Sequence, residues 1–257
     1  MAIKLVISGC CGRMGSIIAR LALPESNNPP LEIAGALEAH TNPQLGRDLG
    51  EVLGREPLGV KITSDIDHAI QKGDVLIEFT NPEATVAHLE RAVKFHKPMV
   101  IGTTGLSEED RARVQQASTR IPIVWSPNMS IGVNLMFELV QIATERLGPS
   151  YPVEMVETHH QGKKDRPSGT AKRLQEIIAA VRARWHIIDE VPCASIRKGD
   201  VAGDHTVMFS RQGYETLEIT HHALSRDVFA LGALKAAQFV VNQPPGLYDM
   251  SHVLRAK

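Results

Sequence analysis

The chain opens on a short apolar run, Ile3–Ser8, that stops at Gly9 and reads as a buried strand. Residues 13–23 follow with Met14, Ile17, Ile18 and Leu21 at helical spacing. After a Pro- and Asn-rich stretch, residues 31–38 read as a second strand and 75–79 as a third. Residues 83–95 predict a helix with Val86, Leu89, Ala92 and Val93 inward. Residues 98–101 form a strand halted by Gly102-Thr103-Thr104-Gly105. Residues 107–118 begin Ser-x-x-Asp, a helix-start pattern, and 123–125 are a further short strand. Strands alternating with helices predict a parallel sheet with right-handed crossovers.

The rhythm changes after residue 130. A long apolar-faced helix (132–147) leads to a strand (153–158), then a helix from about Thr170 to Arg182. Two strand-like runs, 204–210 and 215–222, flank Arg211-Gln212-Gly213-Tyr214 and predict an antiparallel hairpin. Residues 227–241 are helical again. The expected fold is therefore α/β: a doubly wound parallel sheet, then a second α+β domain with a mixed or antiparallel sheet. The boundary falls near Pro127, and the last segment, 227–257, is expected to return to the first domain.

Composition narrows the classes. A 257-residue chain with 43% hydrophobic and 22% charged residues is a packed soluble protein rather than a disordered one. A formal net charge of -1 argues against a general nucleic-acid binder. Three cysteines make no disulfide framework and fit a reducing, cytoplasmic setting. The apolar core at 5–7 is too short for an export signal, and no membrane span is expected because no run reaches about 18 apolar residues.

Gly9-Cys10-Cys11-Gly12-Arg13-Met14-Gly15 stands between the first strand and the first helix. Residues without Cβ allow the tight turn and close approach that a pyrophosphate needs, and the helix start supplies amide donors. Glu38 ends the second strand about 20 residues on, where a carboxylate would hold ribose hydroxyls. Cys11 occupies the middle glycine position of the strict pattern, so a plain glycine turn beside a surface glutamate stays open. No arginine directly follows Glu38, and the carboxylate would repel a 2′-phosphate. NADH is therefore expected to be preferred, with NADPH also usable. Gly102, Thr103 and Thr104, and Ser126, Pro127, Asn128 and Met129, follow short strands, where ligands of such sheets bind. Both loops also read as ordinary βα turns. Cys10 and Cys11 read as small apolar residues in a tight loop.

His159-His160-Gln161-Gly162-Lys163-Lys164-Asp165-Arg166-Pro167-Ser168-Gly169-Thr170-Ala171 carries the densest chemistry. Consecutive strand residues face opposite ways, so His159 and His160 cannot meet one spot alike. Lys163 lies past a Gly162 bend and can swing back. Ser168, Gly169 and Thr170 precede a helix and suit a carboxylate. Histidine is the natural proton donor near neutral pH, and a lysine serves as acid or as carboxylate partner. A solvated loop and a helix cap are the bland alternatives. No C-x-x-C or H-E-x-x-H spacing accompanies the histidines, so no metal is expected.

These residues resemble the 4-hydroxy-tetrahydrodipicolinate reductase family, formerly dihydrodipicolinate reductase. The matching pieces run in order across nearly the whole chain: GCCGRMG, ALE at 36–38, EFTNPE at 78–83, VIGTTG at 100–105, PNMSIGVN at 127–134, ETHHQGKKDRPSGTA, GDHT at 203–206 and LEITHHALSR at 217–226. The resemblance implies a Rossmann-like dinucleotide-binding domain at 1–127 and a substrate-binding and oligomerisation domain at 128–226. It implies hydride delivery from NAD(P)H to C4 of the ring of 4-hydroxy-tetrahydrodipicolinate with loss of water, in lysine and diaminopimelate synthesis. His159 would match the proton donor and acceptor, and Lys163 a second proton donor. His160, Gly169 and Thr170 would match carboxylate binders, with Ser168 at the same helix start. Gly9 to Met14, Glu38, Gly102 to Thr104 and Ser126 to Met129 would match cofactor contacts. Domain closure would bring nicotinamide and ring together. The implied partner is a small dicarboxylate ring and the implied assembly a homotetramer.

Two departures stand out. Arg166 replaces the usual alanine, and the segment from Arg182 to Ser195 is short and lacks an Arg- and Gly-rich stretch tied to subunit contacts. Another small-acid dehydrogenase, or a non-catalytic NAD-binding sensor, would keep the glycine loop. Neither would need HH-x-x-K together with Pro-Ser-Gly-Thr.

Overall fold

In the computed structural model, which describes residues 2–23 and 31–256, strand β1 (Ile3–Ser8) is buried from Leu5 onward because it lies mid-sheet. Its neighbours are β4 (Val75–Glu78) and β2 (Leu31–Leu37). β5 (Met99–Ile101), β6 (Pro122–Trp125) and β11 (Gly246–Tyr248) extend one side, and β3 (Ile62–Thr63) ends the other. All of these pairings are parallel. The Pro- and Asn-rich stretch read before β2 lies outside the described residues.

Helices cover the sheet as the crossovers require. α1 (Arg13–Ala22) packs with α8 (Asp227–Val240), while α3 (Ile66–Lys72), α4 (Pro82–Lys94) and α5 (Glu108–Ser118) pack in a row. The chain's last segment thus returns to the first sheet, where α8 meets β4, β5 and β6. The Ser-x-x-Asp pattern forms a capping box: Asp110 N–H donates to Ser107 Oγ at 3.1 Å, and Ser107 N–H to Asp110 Oδ2 at 3.0 Å. Chain order leaves β1 outward through β2 and β3, then restarts at β4 on β1's other side. The loops after β1 and β4 therefore diverge at the centre of the carboxyl edge, the topological switch point.

Residues 131–226 form a second compact unit. Its sheet runs β10 (Glu215–Ala223), β9 (Gly203–Arg211), β7 (Val153–His159), β8 (Cys193–Arg197). β10–β9 and β9–β7 are antiparallel and β7–β8 is parallel, so the sheet is mixed. α6 (Ile131–Leu147) and α7 (Gly169–Arg182) cover one face. Met136 and Val140 from α6, Leu174 and Ile178 from α7, and Val153, Met155, Val207 and Phe209 from the strands make that core. The expected architecture is thus present, with β8, β11, β3, α3 and two short helices, α2 (Leu49–Val52) and α9 (Met250–Arg255), added. No helix among the described residues is long and apolar enough to cross a membrane.

Candidate active site

The glycine loop sits at the switch point of the first unit. Gly9 has φ +71°, and a Cβ there would lie 2.7 Å from the Phe79 carbonyl oxygen. A Cβ on Gly15 would fall 2.0 Å from the Gly9 oxygen, so α1 sits directly on the turn. α3, α4 and α5 are capped by Asp65, Asn81 and Ser107, whereas α1 starts at Gly12 with no side-chain cap and no acid in its first turn. Its amide end is presented to an anion. Glu38 follows β2, and its Oε1 accepts the Cys11 N–H at 2.7 Å. The uncapped helix start and the carboxylate fit the pyrophosphate and ribose of a dinucleotide. Arg13 is exposed and Met14 half-buried. Burial raises the pKa of both Cys10 and Cys11, and Glu38 adds to it, so neither is a reactive thiolate.

The other two loops divide between inward and outward groups. Gly102 lies under the Phe79 ring, where a Cβ would meet Cζ at 2.1 Å. Thr103 is turned inward: its hydroxyl accepts the Thr80 N–H at 3.1 Å and the Thr85 hydroxyl at 2.9 Å. Thr104 is exposed. Ser126 donates to the Asn128 carbonyl at 2.8 Å, and Asn128 Oδ1 accepts the Ser130 N–H at 2.8 Å. Ser126 and Met129 are buried and shape the loop, leaving Pro127 exposed and Asn128 half-buried. One cluster had been given no role: Glu78, fully buried, bonds Thr80 and lies 2.7 Å from His88 Nδ1, itself 3.1 Å from Ser8 Oγ. It ties the ends of β1 and β4 together beneath the switch-point loops.

The second unit gathers the other predicted residues. Glu157 and His159 alternate along β7 and so share a face. The registers set Glu157 between Ser195 and His205, and His159 beside Arg197. His159 Nδ1 is hydrogen-bonded to Glu157 Oε2, and Arg197 Nη1 lies 2.9 Å from Glu157 Oε1 as an ion-pair contact. Burial alone would raise the Glu157 pKa, but Ser195, Arg197 and His159 outweigh it and hold the carboxyl below its usual range. An ionised Glu157 can only accept, so His159 donates its Nδ1–H and carries its lone pair on Nε2. Burial, with the positive charges of Lys163 and Arg197 beside it, depresses the His159 pKa against the pull of Glu157. The ring is therefore a neutral base near pH 7. Gly203 makes room for it, since a Cβ there would sit 3.0 Å from Nε2.

His205 stands edge-on to His159, with centroids 5.1 Å apart, and its Nε2 lies 3.1 Å from Ser168 Oγ. Its Nδ1 is buried without a hydrogen-bond partner among the described residues. The Nε2–H tautomer avoids stranding a buried donor there. Ser168 then accepts from His205 and, at 3.2 Å, from Ala171 N–H as the α7 cap. Ser168 is itself buried, so it supports the helix start, while Gly169 and Thr170 form the first turn. His160 directly follows β7, and the Lys163 N–H to His160 carbonyl bond of 3.1 Å closes the bend at Gly162. Lys163 Nζ pairs with Asp165 Oδ1 at 2.9 Å. Burial opposes ionisation of Asp165, but Lys163 prevails and its pKa is lowered. Arg197 Nε also donates to the Lys163 carbonyl at 3.2 Å, fastening the loop to β8. Glu157, Asp165, Arg197 and His205 had no assigned role. Lys164 and Arg166 are exposed, and nothing in the structure explains Arg166.

Glu157, His159 and His205 lie close enough to hold a metal ion. Arg197 already pairs with that carboxylate and Lys163 stands nearby, so the group is better suited to moving a proton. It also predicts acid lability. Burial, the main cause, pushes the His205 pKa down to about 3, against 6.5 in an unfolded chain. Between those values the unfolded state binds more protons, so stability falls as pH falls through the window. Glu157 and Asp165 add the same sign at lower pH. The melting temperature should drop from about pH 6.5 downward, and less steeply in His205→Asn; a flat profile contradicts this.

A glycine loop at a parallel-sheet switch point, with a His–carboxylate site on a separate mixed sheet, defines a two-domain oxidoreductase of the nucleotide-binding Rossmann type. Residues 3–129 match the family model for dihydrodipicolinate reductase, N-terminus, and 132–254 that for its C-terminus. A 4-hydroxy-tetrahydrodipicolinate reductase of Syntrophotalea carbinolica is 43% identical over 99% of this chain and 100% of its own length. One of Anaeromyxobacter dehalogenans is 43% identical over 98% and 97%. The chain belongs to the 4-hydroxy-tetrahydrodipicolinate reductase family. Two solved structures share the fold. Dipicolinate-bound dihydrodipicolinate reductase of Paenisporosarcina sp. TG-14 gives a TM-score of 0.77 at 24% identity, covering 97% of this chain and 98% of that one. An amine dehydrogenase of Mycobacterium smegmatis gives 0.66 at 13% identity, covering 100% and 98%.

Proposed function

We propose that this chain reduces 4-hydroxy-tetrahydrodipicolinate to tetrahydrodipicolinate with loss of water, in lysine and diaminopimelate synthesis. The observation that carries this reading is the Arg197–Glu157–His159 chain beside Lys163 and the α7 start, in a family member matched along its length. Loss of water from the ring leaves a conjugated imine. A dinucleotide held by the glycine loop and Glu38 would supply the hydride for C4. The electron pair pushed into the ring then needs a proton, and His159, once protonated at Nε2, delivers it. Glu157 stabilises the imidazolium, as a carboxylate does behind a catalytic histidine. Lys163 serves as carboxylate partner and second proton donor. His160, with the Gly169 and Thr170 amides, holds ring carboxylates. Ser168 and His205 hold that helix start and ring in place. Gly9 to Met14, Glu38, Gly102 to Thr104 and Ser126 to Met129 are read as the dinucleotide's contacts, Thr103 and Ser126 through their backbone. Feeding the substrate from a dihydrodipicolinate synthase and following NADH absorbance tests the reading. No loss of NADH overturns it.

Glu38, fixed against the glycine loop, disfavours a 2′-phosphate. We therefore expect kcat/KM for NADH to exceed that for NADPH, on the order of tenfold, which corresponds to about 1.4 kcal/mol. Equal or better NADPH values contradict it. The face of the second sheet away from α6 and α7 carries Val156, Met208 and Ile196, the last 45% exposed. An open sheet face with apolar residues supports a subunit interface despite the short segment from Arg182 to Ser195. Sedimentation equilibrium should give a tetramer; a monomer refutes this.

A further inference from the structure

Cys10 and Cys11 enter the dinucleotide reading only as positions of the glycine loop, yet their side chains turn toward each other and toward Glu38. The two Sγ atoms lie 3.9 Å apart. One ligand atom from each of Cys10, Cys11 and Glu38 lies within 4.8 Å of the others. The sulfur spacing is informative. Two thiolates bound to one zinc ion at about 2.3 Å, at the tetrahedral angle, stand about 3.8 Å apart. A disulfide would need about 2.05 Å. The observed spacing, at which one thiol hydrogen-bonds the other, matches the edge of a metal tetrahedron. Neighbouring residues on a strand would face opposite ways, but the turn after β1, with Gly9 at φ +71°, brings both sulfurs to one side. The third corner is held too. Cys11 N–H donates to Glu38 Oε1 at 2.7 Å, and Ala39 N–H to Oε2 at 3.2 Å. Cys10 is fully buried while Cys11 and Glu38 are half-buried, so an ion has a way in. Two sulfurs and one oxygen suit a borderline-soft ion rather than magnesium or calcium, which take oxygen shells.

We propose that Cys10, Cys11 and Glu38 bind a soft divalent cation of the zinc class, and that this ion and the dinucleotide exclude each other. On binding, the hydrated ion sheds all but one of its waters, its charge displaces the proton of each buried thiol to solvent, two metal–sulfur bonds and one metal–oxygen bond replace the lost metal–water bonds, and the remaining water keeps the fourth position. Nothing is oxidised or reduced. Exclusion rests on the dinucleotide reading of the glycine loop, because the carboxylate that would hold ribose hydroxyls becomes a metal ligand. The ion is an inhibitor and takes no part in reduction.

Cobalt(II) titrated into metal-free protein without dinucleotide should produce a thiolate-to-cobalt charge-transfer band in the near ultraviolet. Cys11→Ser should abolish the band, and Cys193→Ser, on β8, should keep it. No band in the parent protein, or a band that survives Cys11→Ser, overturns the site. This readout stands even if the chain oxidises no NADH. With the active enzyme, free zinc should raise the apparent KM for NADH in proportion to its concentration and leave kcat unchanged. A fall in kcat at constant KM would place zinc on Glu157, His159 and His205 instead and overturn the exclusion.

Discussion

His159→Gln should lower kcat by about 10²- to 10⁴-fold, the usual worth of a positioned proton donor, while NADH binds about as before. Glutamine keeps a donor toward Glu157 but has no site that can carry a proton at the position of Nε2. The effect should fall on kcat because the ring is part of the second unit, built on β7, and the glycine loop belongs to the first. The parent's rate should also decline as pH rises, since burial keeps the His159 pKa low and the protonated donor becomes scarcer. Comparing steady-state kcat with NADH affinity by fluorescence titration checks this. Loss of NADH binding in His159→Gln would mean the two units are wrongly assigned.

Arg197→Met should destabilise the second unit by about 3–5 kcal/mol, because it leaves the buried Glu157 carboxylate without its cation. Glu157 is fully buried and the Arg197 side chain only 4% exposed, so water cannot replace the pair. The same arginine fastens the Lys163 loop, so kcat should fall as well. Removing both charges, in Arg197→Met with Glu157→Leu, should recover much of the stability but not the rate, since His159 then lacks its carboxylate. Denaturant unfolding followed from Trp185, in this unit, in a Trp125→Phe background, together with kcat, measures the two effects separately. Unchanged stability in Arg197→Met would show that the pair is not buried as described.

The first sheet was largely legible because each of its central strands is a continuous apolar run and the glycines mark the turn after β1. β3 and β11 were not, being only 2 and 3 residues long. β8 was missed for another reason. Cys-Ala-Ser-Ile-Arg is a strand with no fully buried residue, so it lacks the apolar pattern that marks one. Missing β8 hid Arg197 and Ser195, which reach Glu157 only through sheet register. Glu157 itself was within reach, since it sits two residues before His159 on the same face. His205 belongs to the quoted GDHT piece, but its pairing with Ser168 joins segments far apart in sequence. α9 begins with a capping box of Asp249 and His252, an unusual pair that the common Ser/Thr-x-x-Glu pattern does not flag.

Hydride addition to C4 of a ring that has lost water leaves an isotopic signature in the product. NADH dideuterated at the nicotinamide C4, so that either face delivers deuterium, is supplied with the synthase-generated substrate and the product read by mass spectrometry and NMR. The expected product is tetrahydrodipicolinate carrying one deuterium at ring C4, with the 4-hydroxyl gone. A product that keeps the hydroxyl, or NADH oxidation without deuterium in the ring, would contradict hydride addition at C4.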